Sequence, residues 1–123
     1  MKLNIDNTFN KELPADTELE VFPRQVTEAC FSYVNPRIPS EPTLLHYSTE
    51  MTEQIGLSKA DISSPDFLDV FSGSKTLEDT KPYAMCYGGH QFGNWAGQLG
   101  DGRAINLFEV IHENKRWALQ LKG

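Results

Sequence analysis

The chain has 123 residues, 39% of them hydrophobic and 23% charged, which suits one small domain with a modest core. No run of about 18 apolar residues occurs, so a membrane-spanning helix is excluded, and the net charge of −6 argues against general nucleic-acid binding, which needs a basic surface. The N-terminus lacks the apolar centre of a secretory signal and is too acidic for an organellar transit peptide, so we expect a cytoplasmic protein.

The composition changes near residue 82. All seven prolines lie at or before Pro82, whereas all but two of the nine glycines follow Tyr87. Residues 1–80 carry 14 acidic and 6 basic side chains, and the remainder carry 3 and 5. We therefore predict a lead-in over residues 1–82, made of an extended proline-rich segment and short helices, and an antiparallel sheet over residues 83–123. The positive balance of the second part is compatible with a small phosphate compound as ligand.

The first 48 residues are rich in proline. Five prolines, from Pro14 to Pro42, prevent long helices, so this segment is expected to run extended over the surface of a larger structure. The side chains expected to anchor it are Phe22, Phe31, Val34 and Leu44.

Two short helices are predicted next, from residues that cap helix ends. In "STEMTEQIGLS", Ser48 or Thr49 can cap the first turn and Gly56 can end the helix. In "SSPDFLDVFSGSK", Ser64 is the N-cap, a proline follows at the first helical position, and Gly73 is the stop. Both helices are interpreted as scaffolding.

Beyond Pro82 the periodicity becomes that of strands. "YAMCYGG" is a short β-prone run, and "RAINLFEVIHENKRWALQLKG" reads as a hairpin that turns at "HENK". Apolar residues in both phases of the first strand predict a sheet covered on both faces. No covering element follows the strand that ends at Gly123, so the chain is expected to be the N-terminal piece of a longer protein.

The stretch "GGHQFGNWAGQLGDGRA" holds six of the nine glycines and permits two interpretations. It is either a loop whose glycines serve tight turns around Trp95, or a loop whose backbone approaches a phosphate. The hairpin should bring Arg103 beside Lys122, next to Gly100 and Gly102, an arrangement suited to an anion. Protein kinases use a comparable glycine loop and lysine. Neither GxxxxGK[ST] nor GxGxxG occurs, so the residues alone leave both interpretations open.

Other candidate chemistry is weaker. Cys30 and Cys86 show no CxxC pairing and are expected to be reduced thiols without a chemical role. A zinc site built on Cys86, His90 and His112 lacks the paired ligands typical of such sites, so no metal site is predicted within the chain. His90 is expected to be a hydrogen-bonded loop histidine, and Asp101 can hold the glycine loop by an Asx turn.

The glycine stretch, followed by "WALQLKG", closely resembles the selenoprotein O (SelO) family over at least residues 83–123, and "FPRQVTEACFSYVNP" is similar to that family's lead-in. The resemblance implies an α+β chain that forms the N-terminal part of a protein kinase-like fold, with an antiparallel N-lobe sheet and a glycine-rich loop. It also implies an adenylyltransferase that binds ATP in a flipped orientation and transfers AMP to Ser, Thr or Tyr hydroxyls of other proteins. ATP and protein substrates are then the expected partners, without nucleic acid or membrane.

Carried onto this sequence, the family's Gly-Asp-Gly-Arg motif falls on residues 100–103. The resemblance implies nucleotide contacts at Gly100, Gly102 and Arg103, and a phosphate contact at Lys122. The family's catalytic Asp, and the Asn and Asp that hold Mg²⁺ or Mn²⁺, belong to segments after Gly123. This chain alone is therefore expected to hold half of a nucleotide cradle, with no catalytic residue, and to be inactive. The alternative is a non-catalytic module that binds a nucleotide or a partner protein.

Overall fold

The computed structural model describes residues 1–100 and 103–123. Its strands are β1 (Ala15–Asp16), β2 (Phe31–Tyr33), β3 (Tyr83–Met85), β4 (Tyr87–Gln91), β5 (Asn94–Gly100), β6 (Ala104–His112) and β7 (Lys115–Lys122). Its helices are α1 (Thr8–Glu12), α2 (Thr49–Gln54), α3 (Lys59–Ile62) and α4 (Pro65–Ser72). The chain is α+β, as predicted. In the described part of the chain, none of the helices has the length and apolar character needed to traverse a lipid bilayer.

Five strands form one sheet in the order β1-β2-β3-β6-β7, and β4 and β5 form a separate two-stranded sheet. The lead-in joins the main sheet because β2 pairs antiparallel with β3 and β1 pairs parallel with β2. The strands β1 and β2 were not predicted, because two or three residues carry no measurable alternation, whereas β3 lies in the predicted β-prone run "YAMCYGG". Of the expected anchors, Phe31 is buried at 2% exposure, whereas Phe22 and Leu44 are exposed.

The two predicted helices form with the predicted caps. The Ser48 hydroxyl accepts from the Met51 N–H before α2, and the Ser64 hydroxyl accepts from the Phe67 N–H before α4. Gly73 ends α4 in the left-handed conformation at φ +86°. The short helix α3 was not predicted. It begins with a capping box, in which the Ser58 side chain accepts from the N–H of Asp61, the N3 residue, and the Asp61 side chain accepts from the N–H of Ser58.

The main core lies between the helices and one face of the β6–β7 hairpin. Val70 of α4 is 1% exposed and packs in a cluster with Phe108 and Val110 of β6. The remaining buried members of that cluster are Ile55, Leu57, Ile62, Phe67 and Leu107. From β7 the alternate residues Trp117, Leu119 and Leu121 pack against it. The hairpin therefore has a fixed inner and outer face.

A β-bulge explains why both phases of β6 are apolar. Asn106 pairs with Gln120 and Phe108 pairs with Leu119, so Leu107 is an extra residue on β6. Leu107 and Phe108 are consecutive, and both are buried in the same cluster. The bulge, and not a second covered face at this point of the strand, therefore accounts for the apolar residues in both phases of β6.

The opposite face of the sheet is covered near β2 and β3 by an aromatic group. The Phe9 ring of α1 stacks on Tyr83 with centroids 5.2 Å apart, and Phe31 lies 4.9 Å from Tyr83. Arg116 ties the same N-terminal segment to the hairpin, since its Nη2 lies 3.0 Å from Asp6 Oδ2. Hydrogen bonds from Thr8 and Arg116 hold the pKa of Asp6 at about 2. The lead-in is therefore fixed to the sheet by packing and charge together.

Candidate functional site

The glycine stretch is mostly a β-hairpin, not the loop predicted from sequence. β4 and β5 are joined by Phe92 and Gly93, whose φ angles are +49° and +81°. Two positive φ values are the signature of a type I′ turn, which matches the twist of paired strands and so favours a hairpin over a loop. We call β4 and β5 with this turn the glycine hairpin.

Trp95 packs across the glycine hairpin, as expected of a packing residue. A Cβ atom at Gly88 would lie 2.8 Å from Cη2 of Trp95, so the indole occupies the space a larger residue would need. The His90 ring meets the Trp95 ring edge-on at 5.1 Å, and His90 lies on β4, not in a loop. Gly88 therefore makes room for the Trp95 ring, and Gly93 allows the turn. Both roles agree with the interpretation in which the glycines serve tight turns around Trp95.

The open end of the β6–β7 hairpin brings two of the predicted site residues together. Ala104 pairs with Lys122, so Arg103 and Lys122 stand at the same end of the hairpin. The Arg103 Nε–H donates to the carbonyl of Gly123 at 3.0 Å, and the Gly123 N–H donates to the Arg103 carbonyl at 3.2 Å. Both side chains are exposed to solvent. A guanidinium and an ammonium therefore share one surface, which suits a polyanionic ligand.

Gly100 ends β5, and two residues separate it from Arg103 in the sequence. It adopts φ +83°, and among the described residues no atom lies within 4 Å of the position a Cβ would occupy. Its backbone is thus open to close approach by a ligand. The predicted contact at Gly102 and the Asx turn at Asp101 lie outside the described residues.

A cavity of about 760 Å³ opens at this end of the hairpin, and we call it the hairpin-end cavity. Its polar lining residues in the described part of the chain are Arg37, Ser72, Arg103, Gln120 and Lys122, and the described lining holds no Asp or Glu. Three cationic residues from distant parts of the sequence therefore line one space. Such a charge distribution favours an anion with several negative oxygens.

Sequence reasoning missed Arg37. It reaches the hairpin-end cavity because the preceding residue, Pro36, packs against the end of α4. A Cβ at Gly73 would lie 3.0 Å from the Pro36 Cβ and 3.1 Å from Cδ1 of Leu121. The missing side chain of Gly73 thus lets the proline-rich segment approach β7. No local pattern in the sequence signals this contact.

The residues considered for zinc are not brought together. Cys86 lies between β3 and β4, His90 lies on β4, and His112 ends β6, where its ring packs over Gly56. Within residues 1–100 and 103–123, no group of three or more His, Cys, Asp or Glu side chains could hold a metal ion.

Comparison with known proteins relates the chain to one family of nucleotidyltransferases. A family model described as protein adenylyltransferase SelO matches residues 16–123. The chain is similar to proteins named protein nucleotidyltransferase YdiU: it is 60% identical to that of Flavobacterium johnsoniae over 121 residues, covering 98% of this chain and 23% of the relative. It is 53% identical to that of Azoarcus sp. over 122 residues, covering 98% and 24%. The chain thus spans about a quarter of the length of the curated relatives it matches. Because the family model covers most of its residues, the chain belongs to the SelO family.

Proposed function

We propose that this chain supplies the triphosphate-binding part of an ATP-dependent protein adenylyltransferase. The observation that carries the proposal is the meeting of Arg103 and Lys122 at the open end of the β6–β7 hairpin. The open backbone at Gly100 and a third cationic residue, Arg37, in the lining of the hairpin-end cavity add support. The family description and the names of the relatives indicate nucleotidyl transfer.

In the proposed reaction, a Ser, Thr or Tyr hydroxyl of a protein substrate attacks the α-phosphorus of ATP. The bond from that phosphorus to the bridging oxygen breaks, AMP becomes attached to the protein, and pyrophosphate leaves. The Lys122 ammonium and the Arg103 guanidinium neutralise the negative charge of the phosphate oxygens. This charge grows on the leaving pyrophosphate during the reaction. In this proposal the chain binds and orients the triphosphate, and the hydroxyl proton is removed elsewhere.

A second candidate is a module that binds a nucleotide without transferring it. The described lining residues of the hairpin-end cavity include no Asp, Glu or His whose side chain could remove the hydroxyl proton. This observation is compatible with binding alone. The two candidates differ in chemistry, not in the identity of the cradle residues.

Binding is tested by titrating the chain with ATP in its wild-type form and as Lys122→Ala. We expect the substitution to weaken binding by about tenfold or more, since charge-assisted hydrogen bonds contribute roughly 1.5–3 kcal/mol. Lys115→Ala is the matched control, because Lys115 is exposed at the opposite end of the same strand. Equal ATP affinity for all three proteins would overturn the cradle.

Transfer is tested with a protein of the relatives' full length that contains this chain. ATP labelled at the α-phosphate should label protein substrates, and ATP labelled at the γ-phosphate should not. Transfer of the γ-label instead would indicate a kinase. Binding of ATP without either transfer would favour the non-catalytic module.

A further inference from the structure

Cys30 and Cys86 directly adjoin Phe31 and Met85, the last pair of the β2–β3 ladder. The antiparallel register joins Phe31 to Met85, Ser32 to Ala84 and Tyr33 to Tyr83. One step beyond Phe31 and Met85, the same register sets Cys30 opposite Cys86, and these are the two cysteines of the sequence. We propose that Cys30 and Cys86 form a reversible cross-strand disulfide that clamps the base of the glycine hairpin to β2.

The backbone hydrogen bonds give the spacing of this cross-strand pair. The Val34 N–H donates to the Pro82 carbonyl at 3.1 Å, so the alternation of the β2–β3 ladder places Cys30 and Cys86 at a hydrogen-bonded pair of positions. The Cys30 N–H itself departs from this ladder and donates to the Pro14 carbonyl at 2.9 Å. Facing Cα atoms lie about 4.5–5.5 Å apart in the two kinds of antiparallel pair. Both spacings fall within the roughly 4.4–6.8 Å range that disulfides accept.

Both thiols are also accessible from one space. Cys30 and Cys86 are exposed, and both line a cavity of about 500 Å³. Ser32 and Asp16 line the same cavity, and the Ser32 hydroxyl donates to Asp16 at 3.0 Å. Since residues 30 and 32 are on the same face of the strand, the shared lining agrees with a Cys30 side chain directed toward Cys86. A small thiol reagent can reach both sulfur atoms.

The chemistry is thiol–disulfide exchange with a low-molecular-weight disulfide. One cysteine thiolate attacks the reagent, forms a mixed disulfide and releases one small thiol. The second thiolate attacks the protein sulfur of that mixed disulfide, forms the Cys30–Cys86 bond and releases the second small thiol. The two protein thiols lose two electrons and two protons, and the reagent gains them as two thiols.

The position of the bond gives it a structural consequence. Cys86 is the one residue between β3 and β4, and β4 and β5 lie in a sheet of their own. A bond at Cys86 therefore fixes the point at which the glycine hairpin leaves the main sheet. This inference does not depend on the proposed nucleotide-binding function.

The test treats the reduced chain with mixtures of glutathione and glutathione disulfide and determines the products by mass spectrometry. We expect a monomer lighter by two hydrogen atoms and free of glutathione. The matched control carries Cys30→Ser and Ser32→Cys, which keeps two cysteines but moves one to a diagonal position about 7–8 Å from Cys86. A second control, Cys86→Ser with Ala84→Cys, makes the same displacement on β3 in case the first disturbs folding.

At the ratios of glutathione to glutathione disulfide that convert the wild type to the Cys30–Cys86 disulfide, both controls should carry glutathione adducts. They should also form at least tenfold less intramolecular disulfide than the wild type. Oxidation of the wild type should also slow amide hydrogen exchange in Tyr87–Gln91 relative to the reduced chain. Glutathione adducts or disulfide-linked dimers as the main wild-type products would overturn the pairing. Unchanged exchange in the oxidised monomer would overturn the clamp.

Discussion

The Nε–H of Arg103 donates to the carbonyl oxygen of Gly123 at 3.0 Å. A reciprocal backbone bond runs from the Gly123 N–H to the Arg103 carbonyl at 3.2 Å, so the two ends of the β6–β7 hairpin are joined twice. The arginine side chain is consequently held at the open end of the hairpin, where Arg103 and Lys122 both line the hairpin-end cavity. A guanidinium that is already positioned loses less side-chain entropy when a phosphate binds.

Arg37 is expected to strengthen binding of a triphosphate, because it adds a third positive charge to the hairpin-end cavity. Arg37→Ala should weaken ATP binding by about threefold, because an exposed charge that interacts through water contributes at most about 1 kcal/mol to the binding free energy. Titration calorimetry at two salt concentrations measures this effect, which should shrink at high salt. Lys115→Ala again serves as the control. An Arg37 variant whose ATP affinity equals that of the wild type would remove this residue from the site.

Gly73→Ala is expected to destabilise the chain by about 1–3 kcal/mol, because a side chain at φ +86° is strained and would press on Pro36 and Leu121. The midpoint of urea unfolding measures the loss. Gly123→Ala is the control, because among the described residues no atom lies within 4 Å of the position that a Cβ at Gly123 would occupy. The free energy of unfolding of this variant should differ from that of the wild type by less than about 0.5 kcal/mol. Similar midpoints for both variants would show that the Pro36 contact contributes little.

Local sequence signals predicted the helices α2 and α4 and the β6–β7 hairpin. Ser48, Ser64 and Gly73 act within a few residues of the ends they cap, so their effect can be read from sequence. The placement of Arg103 near Lys122 followed from hairpin geometry in the same way. Their contact with a nucleotide remains a prediction.

Non-local features could not be predicted. The bulge at Leu107 depends on how β6 fits against the helices and β7, and it changes the face of every later residue in β6. Arg37 reaches the hairpin-end cavity through packing between Pro36 and Gly73, which are far apart in sequence. The turn of the glycine hairpin escaped detection because Phe92, a bulky residue, seldom adopts positive φ.

Gly88→Ala is expected to loosen the glycine hairpin, because the new Cβ would lie 2.8 Å from Trp95 Cη2 and 3.0 Å from the Gly97 carbonyl oxygen. The indole is 63% exposed and can move aside, so the cost should be about 1 kcal/mol. Hydrogen exchange in β4 and β5 should be several-fold faster. Adding Trp95→Ala removes the nearer obstacle and should restore part of the protection; additive losses in the double variant would show that the two residues do not interact.

Tyr83 is expected to make the fold sensitive to alkaline pH. Burial, reinforced by the negative charge of Glu109, raises the pKa of its phenol from 10.0 to about 12. The folded state therefore favours the neutral phenol: this stability is fully present below about pH 10 and is lost as pH rises toward 12. Tyr83→Phe keeps the ring that stacks on Phe9 and removes the ionisable group. Urea unfolding at a series of pH values should show the wild type losing about 1–3 kcal/mol more than the variant across this interval, and parallel curves for the two proteins would contradict the assignment.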